Sequence, residues 1–475
     1  MQKILFVNPP IRHRSPPSTY PYGLALVAAV MERNGFEVDV LDVNAHRLEG
    51  FQVIEALTGR NYDVVAVGGL ITTYGWIKQF VAEVRKNLPQ ARVVLGGGVV
   101  TWNPEFILRH LPADVAISGE GEDTFLEVVR NFDFERRDGQ PIPGAAFIDR
   151  EGRYVFEPRP AIKDLDRLPL PAWHLFPMET YVTNSQLSRP GLDLRRGVNV
   201  YSGRGCPMNC SYCYHIFGRG VRVRAIDKVI EEIQLLKDRY QPDNLLVTDE
   251  CFTFSKRRVL DFCRMYREVG LDILFRVSGR LDTIDEEMAL ALVDAGCVMY
   301  GVGVESGSPK ILKNMNKQIT VDKMAETIQM LRDVGLDIAP TFIHGMIGED
   351  ARTVKESIRF YKKMGFRAVN PFSLQPYPGS PLWTPEVERR VLAKYDSLER
   401  FVETLGDAGD FVINLSEVSD RRLQALRRII KRETIGMNQF TTGLAWFRRQ
   451  IQHVRDEGYF WIFKGLLKRL GLGAP

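Results

Sequence analysis

The chain has 475 residues, 45% hydrophobic and 26% charged, which is the composition of a soluble globular protein with more than one domain. No run of about 18 apolar residues occurs, and no charged stretch followed by a long apolar core opens the chain, so a spanning or secreted protein is not expected and a cytoplasmic one is. The net charge of +4 is unevenly spread: residues 420–475 carry 12 Lys or Arg against 4 Asp or Glu, leaving a mildly acidic body.

In chain order, β-rich runs at residues 4–7, 38–41, 64–67, 93–95 and 115–117 alternate with helical patterns at 24–32, 77–86 and 124–129. This alternation predicts an α/β, Rossmann-like, doubly wound parallel domain over residues 1–135. Residues 136–194 read as a linker, broken by Pro141, Pro143, Pro158, Pro160, Pro169, Pro171 and Pro190. A second alternation places strands at 198–201, 245–247, 273–277, 299–302, 338–343 and 368–372, with helices at 229–237, 288–293, 324–331 and 354–362. Six βα units predict a partial (β/α)6 barrel of TIM type over residues 195–385, with function at the C-terminal ends of its strands. Residues 386–475 read as a helical, basic region, with amphipathic stretches at 421–432 and 446–455.

The chemistry concentrates in Y-S-G-R-G-C-P-M-N-C-S-Y-C-Y, residues 201–214, directly after the first barrel strand. Cys206, Cys210 and Cys213 on one loop suit three irons of a 4Fe–4S cubane and leave a fourth iron open. Gly203 and Gly205 let the backbone fold tightly around such a cluster. The alternative is structural zinc with His215 as fourth ligand, although zinc loops usually draw their ligands from two separated pairs. Cys251, Cys263 and Cys297 are widely spaced and read as buried small hydrophobes, with Cys251 at the active end of a strand.

The C-x3-C-x2-C spacing, with Tyr212 before the last cysteine, resembles the radical S-adenosylmethionine (SAM) superfamily. The resemblance implies reductive cleavage of SAM to methionine and a 5′-deoxyadenosyl radical, fed by an electron donor such as flavodoxin or ferredoxin. It also implies SAM contacts from Tyr212, from Asp249 and Glu250 after the second strand, and from Ser278 and Arg280 after the third. Glu305, in G-V-G-V-E-S-G, together with Lys317 and Thr341, completes that set. For each the alternative is a helix cap or an ion pair, and Asp249 and Ser306 are the most open to it.

An open parallel sheet binds ligands beyond the carboxyl ends of its strands, which points to Asn8, Pro9, Thr72, Thr73, Gly96, Gly97, Gly98, Thr101, Gly119 and Glu120. The loops N-P-P, G-G-G-V-V-T and S-G-E-G-E, with Y-P-Y-G-L containing Tyr22 and Gly23, resemble the cobalamin-binding domain that precedes many radical SAM barrels. The D-x-H-x-x-G signature of other cobalamin proteins is absent. His46 lies at the wrong spacing from Asp42 and reads as a surface residue, and no G-x-G-x-x-G follows the first strand to suggest a nucleotide.

Together these resemblances imply a cobalamin-dependent radical SAM enzyme that methylates an unactivated carbon, with a second SAM restoring the methyl group on cobalt. Two alternatives stay open: a radical SAM cyclase, oxidase or rearrangement enzyme whose cobalamin donates no methyl group, and a non-catalytic zinc or tetrapyrrole-binding module. The tail interleaves basic residues with Trp446, Phe447, Tyr459, Phe460, Trp461 and Phe463. It suits either packing on the barrel or peripheral contact with an anionic membrane, and so a small-molecule or lipid-like substrate. No nucleic-acid partner is expected, since no recognition module accompanies the charge.

Overall fold

The structure is a computed structural model that describes residues 2–12, 15–131, 141–189, 191–367, 369–407 and 409–435. It forms two compact units. The first comprises the chain up to Ser185, Arg204–Arg224 and Ser373–Ile413; the second comprises Gln186–Gly203, Ala225–Phe372 and the segment beginning at Asn414.

The first unit is built on a seven-stranded sheet: β1 (Lys3–Asn8), β2 (Glu37–Asp42), β3 (Val64–Gly68), β4 (Arg92–Gly96), β5 (Val115–Ile117), β6 (Ala145–Ile148) and β7 (Tyr154–Phe156), in the order β2-β1-β3-β4-β5-β6-β7. The first five strands pair in parallel, in the flavodoxin-like doubly wound order. Their Val, Ile, Leu and Ala runs are apolar on both faces because helices cover both. Helices α1 (Tyr22–Arg33) and α3 (Gly121–Arg130), on either side of α2 (Tyr74–Asn87) in the chain, contribute Ala28, Met31, Phe125 and Val128 to a core with Ile4, Phe6, Val64 and Val94.

The sheet does not stop near residue 135. β6 and β7 add two antiparallel strands from the proline-rich segment expected to be a linker. Its prolines flank the runs 145–148 and 154–156 without interrupting them, so both runs keep the backbone N–H groups a ladder requires. The unit also gathers residues beyond the expected barrel, where Lys78 of α2 pairs with Glu399 and Glu403 at 2.8 and 2.7 Å. Each of the two compact units is thus assembled from several separate segments of the chain.

The second unit carries a six-stranded sheet whose order follows the chain: β8 (Gly197–Val200), β9 (Asn244–Val247), β10 (Leu274–Gly279), β11 (Cys297–Glu305), β12 (Ile338–His344) and β13 (Phe372–Ser373). β8 to β12 pair in parallel, and the sheet curls as a half-barrel of the expected kind. Between the strands run α4 (Ile226–Tyr240), α5 (Lys256–Glu268), α6 (Glu286–Asp294), α7 (Val321–Asp333) and α8 (Ala351–Lys363). A hairpin of Leu187–Arg189 and Leu192–Leu194 sets Leu187, Leu192 and Leu194 against Leu274, Val298 and Met299 near the strand starts.

The first stretch of the basic region forms α9 (Asp420–Thr434), which packs on the barrel: Lys362 pairs with Glu433 at 2.8 Å and Thr434 Oγ1 accepts from the Val369 amide. The stretch at 446–455 and the aromatic residues beyond it lie outside the described residues.

Candidate active site

The cysteine loop leaves β8 at Val200 and returns at Arg222. Its neck is a two-residue pairing of Gly203–Arg204 with Arg222–Val223. Gly205 sits at φ +93°, and a Cβ there would lie 2.3 Å from the Gly220 carbonyl oxygen, so only glycine lets the two stems approach. Beyond the neck, Cys206 and Cys213 are half-buried and Cys210 is buried, with the Cys213 amide donating to the Cys210 carbonyl at 3.2 Å. None of the six cysteines is in a disulfide, and Cys251, Cys263 and Cys297 are buried as expected.

His215, the alternative fourth ligand, has both ring nitrogens buried without a hydrogen-bond partner, and burial together with the charge of Arg219 lowers its pKa. Among the described residues, no three His, Cys, Asp or Glu side chains converge as a single ion would require. A cubane makes no such demand, because each of its cysteines holds a different iron. The donor set of three thiols on one glycine-hinged loop fits the cluster.

Both stems of the loop are held by carboxylates. In the first unit, Glu120 binds Arg204 through Oε1 and Arg222 through Oε2, the latter at 2.6 Å, while Glu122 binds Arg204 at 2.6 Å. Burial pushes the Glu120 carboxyl up, but the charge of Arg204 and the hydrogen bonds from Arg204, Arg222 and the Ile162 amide outweigh it and hold the group below the usual glutamate range. In the second unit, Asp249 accepts from the Ser202 and Gly203 amides at 2.7 and 3.1 Å and from the Ser202 hydroxyl at 2.5 Å. Here burial dominates and the carboxyl is raised.

The barrel's inner face is legible in the alternation of β10 and β11. Phe275, Val277, Tyr300, Val302 and Val304 are buried, while Arg276, Ser278, Met299, Gly301 and Gly303 between them are partly open. The two glycines make room. A Cβ on Gly301 would lie 2.7 Å from Ser278 Oγ, and one on Gly303 would lie 2.1 Å from Glu305 Oε1 and 2.7 Å from Lys317 Nζ. Glu305 and Lys317 form a buried pair at 3.6 Å, and Thr341 Oγ1 lies 3.4 Å from the same carboxylate. Arg280 is clamped by Asp282 at 2.7 Å through two nitrogens and donates to the Lys317 carbonyl at 2.5 Å.

The structure thus brings together Ser278, Arg280, Glu305, Lys317 and Thr341. Asp249 is occupied at the start of the cysteine loop, Glu250 is exposed, and Tyr212 lies half-buried within the loop. Ser306 bonds Ser357 at 3.0 Å and accepts from the Ser308 amide, a local role of the kind its position before a helix suggested. Sequence reasoning missed Gly301, Gly303, Arg276 and Asn199. Arg276 donates to Asn244 at 3.0 Å, and burial lowers its pKa. Asn199 is in line with it across β9, and its buried Nδ2 lacks a partner. Polar residues alternating with apolar ones inside a strand were the available signal.

At the C-terminal edge of the first sheet, the loops after β3, β4 and β5 are laced together. Gly97, at φ +78°, would place a Cβ 2.8 Å from the Gly69 carbonyl oxygen; Thr101 Oγ1 donates to Gly97 O at 3.0 Å and accepts from the Gly119 amide at 3.2 Å. Gly96, Gly97, Gly98, Thr101 and Gly119 therefore share this edge. Thr72 and Thr73 begin the segment leading into α2, and Thr73 Oγ1 is bonded to the Leu70 carbonyl at 2.7 Å. Gly119 and Gly23 face open space and Leu70 is exposed, which fits a flat, bulky ligand lying against the edge.

Asn8 is buried, donating to Asp42 at 2.8 Å and to Tyr181 at 3.0 Å, with Pro9 buried beside it in the chain. Tyr22 is buried and accepts from Arg224 at 3.2 Å. His46 is exposed, as expected.

A half-barrel with a three-thiol loop, in a chain that also carries a doubly wound sheet with a glycine-lined edge, defines a radical SAM enzyme that uses a 4Fe–4S cluster, SAM and cobalamin. The radical SAM superfamily model matches residues 200–361, and the B12 binding domain model matches residues 10–129. An uncharacterized methyltransferase of Pyrococcus horikoshii is 31% identical over 401 residues, spanning 82% of this chain and 84% of the relative. Cytidylyl-2-hydroxyethylphosphonate methyltransferase of Streptomyces wedmorensis is 26% identical over 456 residues, covering 85% of each chain. The structure of the radical SAM methyltransferase TsrM from Kitasatospora setae, with cobalamin and a [4Fe-4S] cluster bound, superposes with a TM-score of 0.66 over 84% of this chain and 76% of that one, at 22% identity, and so shares its fold. The chain belongs to the radical SAM family that carries a cobalamin-binding domain, and it is methyltransferase-like.

Proposed function

We propose that the chain transfers a methyl group from cobalamin to an unactivated carbon of a small-molecule or lipid-like substrate. The observation that carries this reading is that a single compact unit contains both the glycine-lined edge and the three-cysteine loop. Two relatives named as methyltransferases support it. In this reading Cys206, Cys210 and Cys213 hold the cluster, and Tyr212, Glu250, Ser278, Arg280, Glu305, Lys317 and Thr341 surround SAM, with Asp249 acting through the start of the loop. Pro9, Tyr22, Gly23, Thr72, Thr73, Gly96, Gly97, Gly98, Thr101 and Gly119 line the cobalamin edge, with Asn8 bracing it.

When bound, the cofactors supply a carbon radical and a methyl group; the chain binds, orients and encloses them. The Glu305–Lys317 pair, buried beside the space that Gly303 leaves, is suited to orienting the amine and carboxylate of an amino acid. Flavodoxin or ferredoxin would supply the electron. A cytoplasmic protein with peripheral membrane contact through its basic, aromatic C-terminal region is consistent with the composition, and no helix among the described residues is long and apolar enough to cross a membrane.

The test is anaerobic reconstitution with iron, sulfide and cobalamin, then turnover with methyl-labelled SAM. Label in the product is expected. Turnover to an unlabelled, ring-closed or oxidised product would replace this reading with the cyclase or oxidase alternative, and colourless zinc-loaded protein would replace it with the binding-module alternative. Liposome sedimentation with and without residues 420–475 tests the membrane contact, which equal binding by both forms would refute.

A further inference from the structure

We propose that Glu120 and Glu122 are positioning residues that clasp the neck of the cysteine loop to the sheet of the first unit. Arg204 and Arg222 are the two stems of the loop, and the single carboxylate of Glu120 takes one with each oxygen. Glu122 takes the second nitrogen of Arg204 at 2.6 Å. The Ile162 amide donates to Glu120 at 2.7 Å, Arg222 donates to the Ile162 carbonyl at 2.8 Å, and the Phe217 ring lies 5.3 Å from the Arg204 guanidinium.

Side-chain exposure is 8% for Arg204, 14% for Arg222, 6% for Glu120 and 4% for Glu122, so four charges are withdrawn from water and cancel in sign only as a set. Glu120 stands at the residue before α3, its carboxylate turned to the arginines instead of capping the helix, and Glu122 lies in the first turn, which ties the clasp to a rigid element. The Gly205–Gly220 approach supplies a hinge but no lock, since neither residue has a side chain to hold it. The S-G-E-G-E segment, which reads from sequence as a cofactor contact, in this assignment acts through the loop.

The proposal rests on the cysteine loop being the cluster loop, and the iron content of reconstituted wild-type protein checks that point separately. The clasp itself is read in cluster-free protein by the alkylation rate of buried Cys210. In Glu120→Gln the rate should rise at least about tenfold, because losing one partner of a buried ion pair costs more than the free energy of a tenfold change. The same variant, once loaded, should release iron to a chelator faster while binding cobalamin as wild type does.

Wild-type alkylation and iron retention combined with lost cobalamin affinity would overturn the proposal and make Glu120 a cobalamin ligand. Should Glu120→Gln fail to fold, Arg222→Lys, which keeps the charge but not the fork, should give an intermediate rate and Arg222→Gln the full effect. Wild-type rates in both would also overturn the proposal.

Discussion

The central strands of the first sheet are buried almost along their whole length, whereas β10 and β11 of the second alternate between covered and open residues. Where helices cover both faces, only the strand ends stay open, and glycines collect in the loops there, as at Gly96, Gly97 and Gly98, where Gly97 lets the Gly69 backbone approach. A curled sheet keeps its inner face open, so glycine enters the strand itself, as at Gly301 and Gly303. The same residue type does the same work at two addresses, and topology decides which.

The largest expected effect lies on the covered faces, where the two sheets should behave alike. Phe6 packs on Phe125 with ring centroids 5.1 Å apart, and Phe275 meets Phe262 and Tyr266 at 5.8 and 5.0 Å. Phe6→Ala and Phe275→Ala should each cost roughly 3–5 kcal/mol in urea or thermal unfolding. A mild loss at either position would mean that its face is not closed, which would break the comparison.

The open face should respond in affinity instead of stability. Gly303→Val places atoms where Glu305 Oε1 and Lys317 Nζ now lie, and SAM cleavage should fall about 100-fold, the scale of a misplacement near 1 Å. The melting temperature should fall far less than in Phe275→Ala. Unchanged SAM affinity, measured by calorimetry on the loaded protein, would remove this pair from the SAM site. Gly97→Ala is the counterpart at the loop address. A side chain at φ +78°, 2.8 Å from Gly69 O, should cost about 1–3 kcal/mol of stability and weaken cobalamin binding, leaving iron loading intact.

The same contrast explains what sequence made legible. β1 to β5 and β8 to β12 announce themselves because continuous or alternating apolar runs are local signals, and the cysteine loop does so because its three cysteines lie within eight residues. β6 and β7 went unread because four- and three-residue runs among prolines carry little periodicity. The clasp was out of reach for a different reason: Glu120 meets Arg204 and Arg222 across 84 and 102 residues, and Asp249 meets Ser202 across 47, so each pairing exists only once the chain has folded. A polar residue at a strand end looks the same in sequence whether it faces a cofactor or braces the loop that holds one.

The smallest expected effect is a difference in sign between two of the carboxylates that hold the loop, Glu120 in the first unit and Asp249 in the second. Glu120 is held below the ordinary value of 4.5, so its contribution to stability is complete above that value and is lost as pH falls through the lowered one. Asp249 is raised above 3.8, chiefly by burial, so its contribution is present below that value and is lost as pH rises through the raised one. Urea midpoints for wild type, Glu120→Gln and Asp249→Asn, followed from pH 7 down into the acid range, should therefore diverge. The advantage of wild type over Glu120→Gln should shrink on acidification, while its standing relative to Asp249→Asn should improve. Parallel curves would mean that the two sites stabilise the loop by the same electrostatics, and that burial outweighing the hydrogen bonds from Ser202 and Gly203 and the charge of Arg258 is not what distinguishes Asp249.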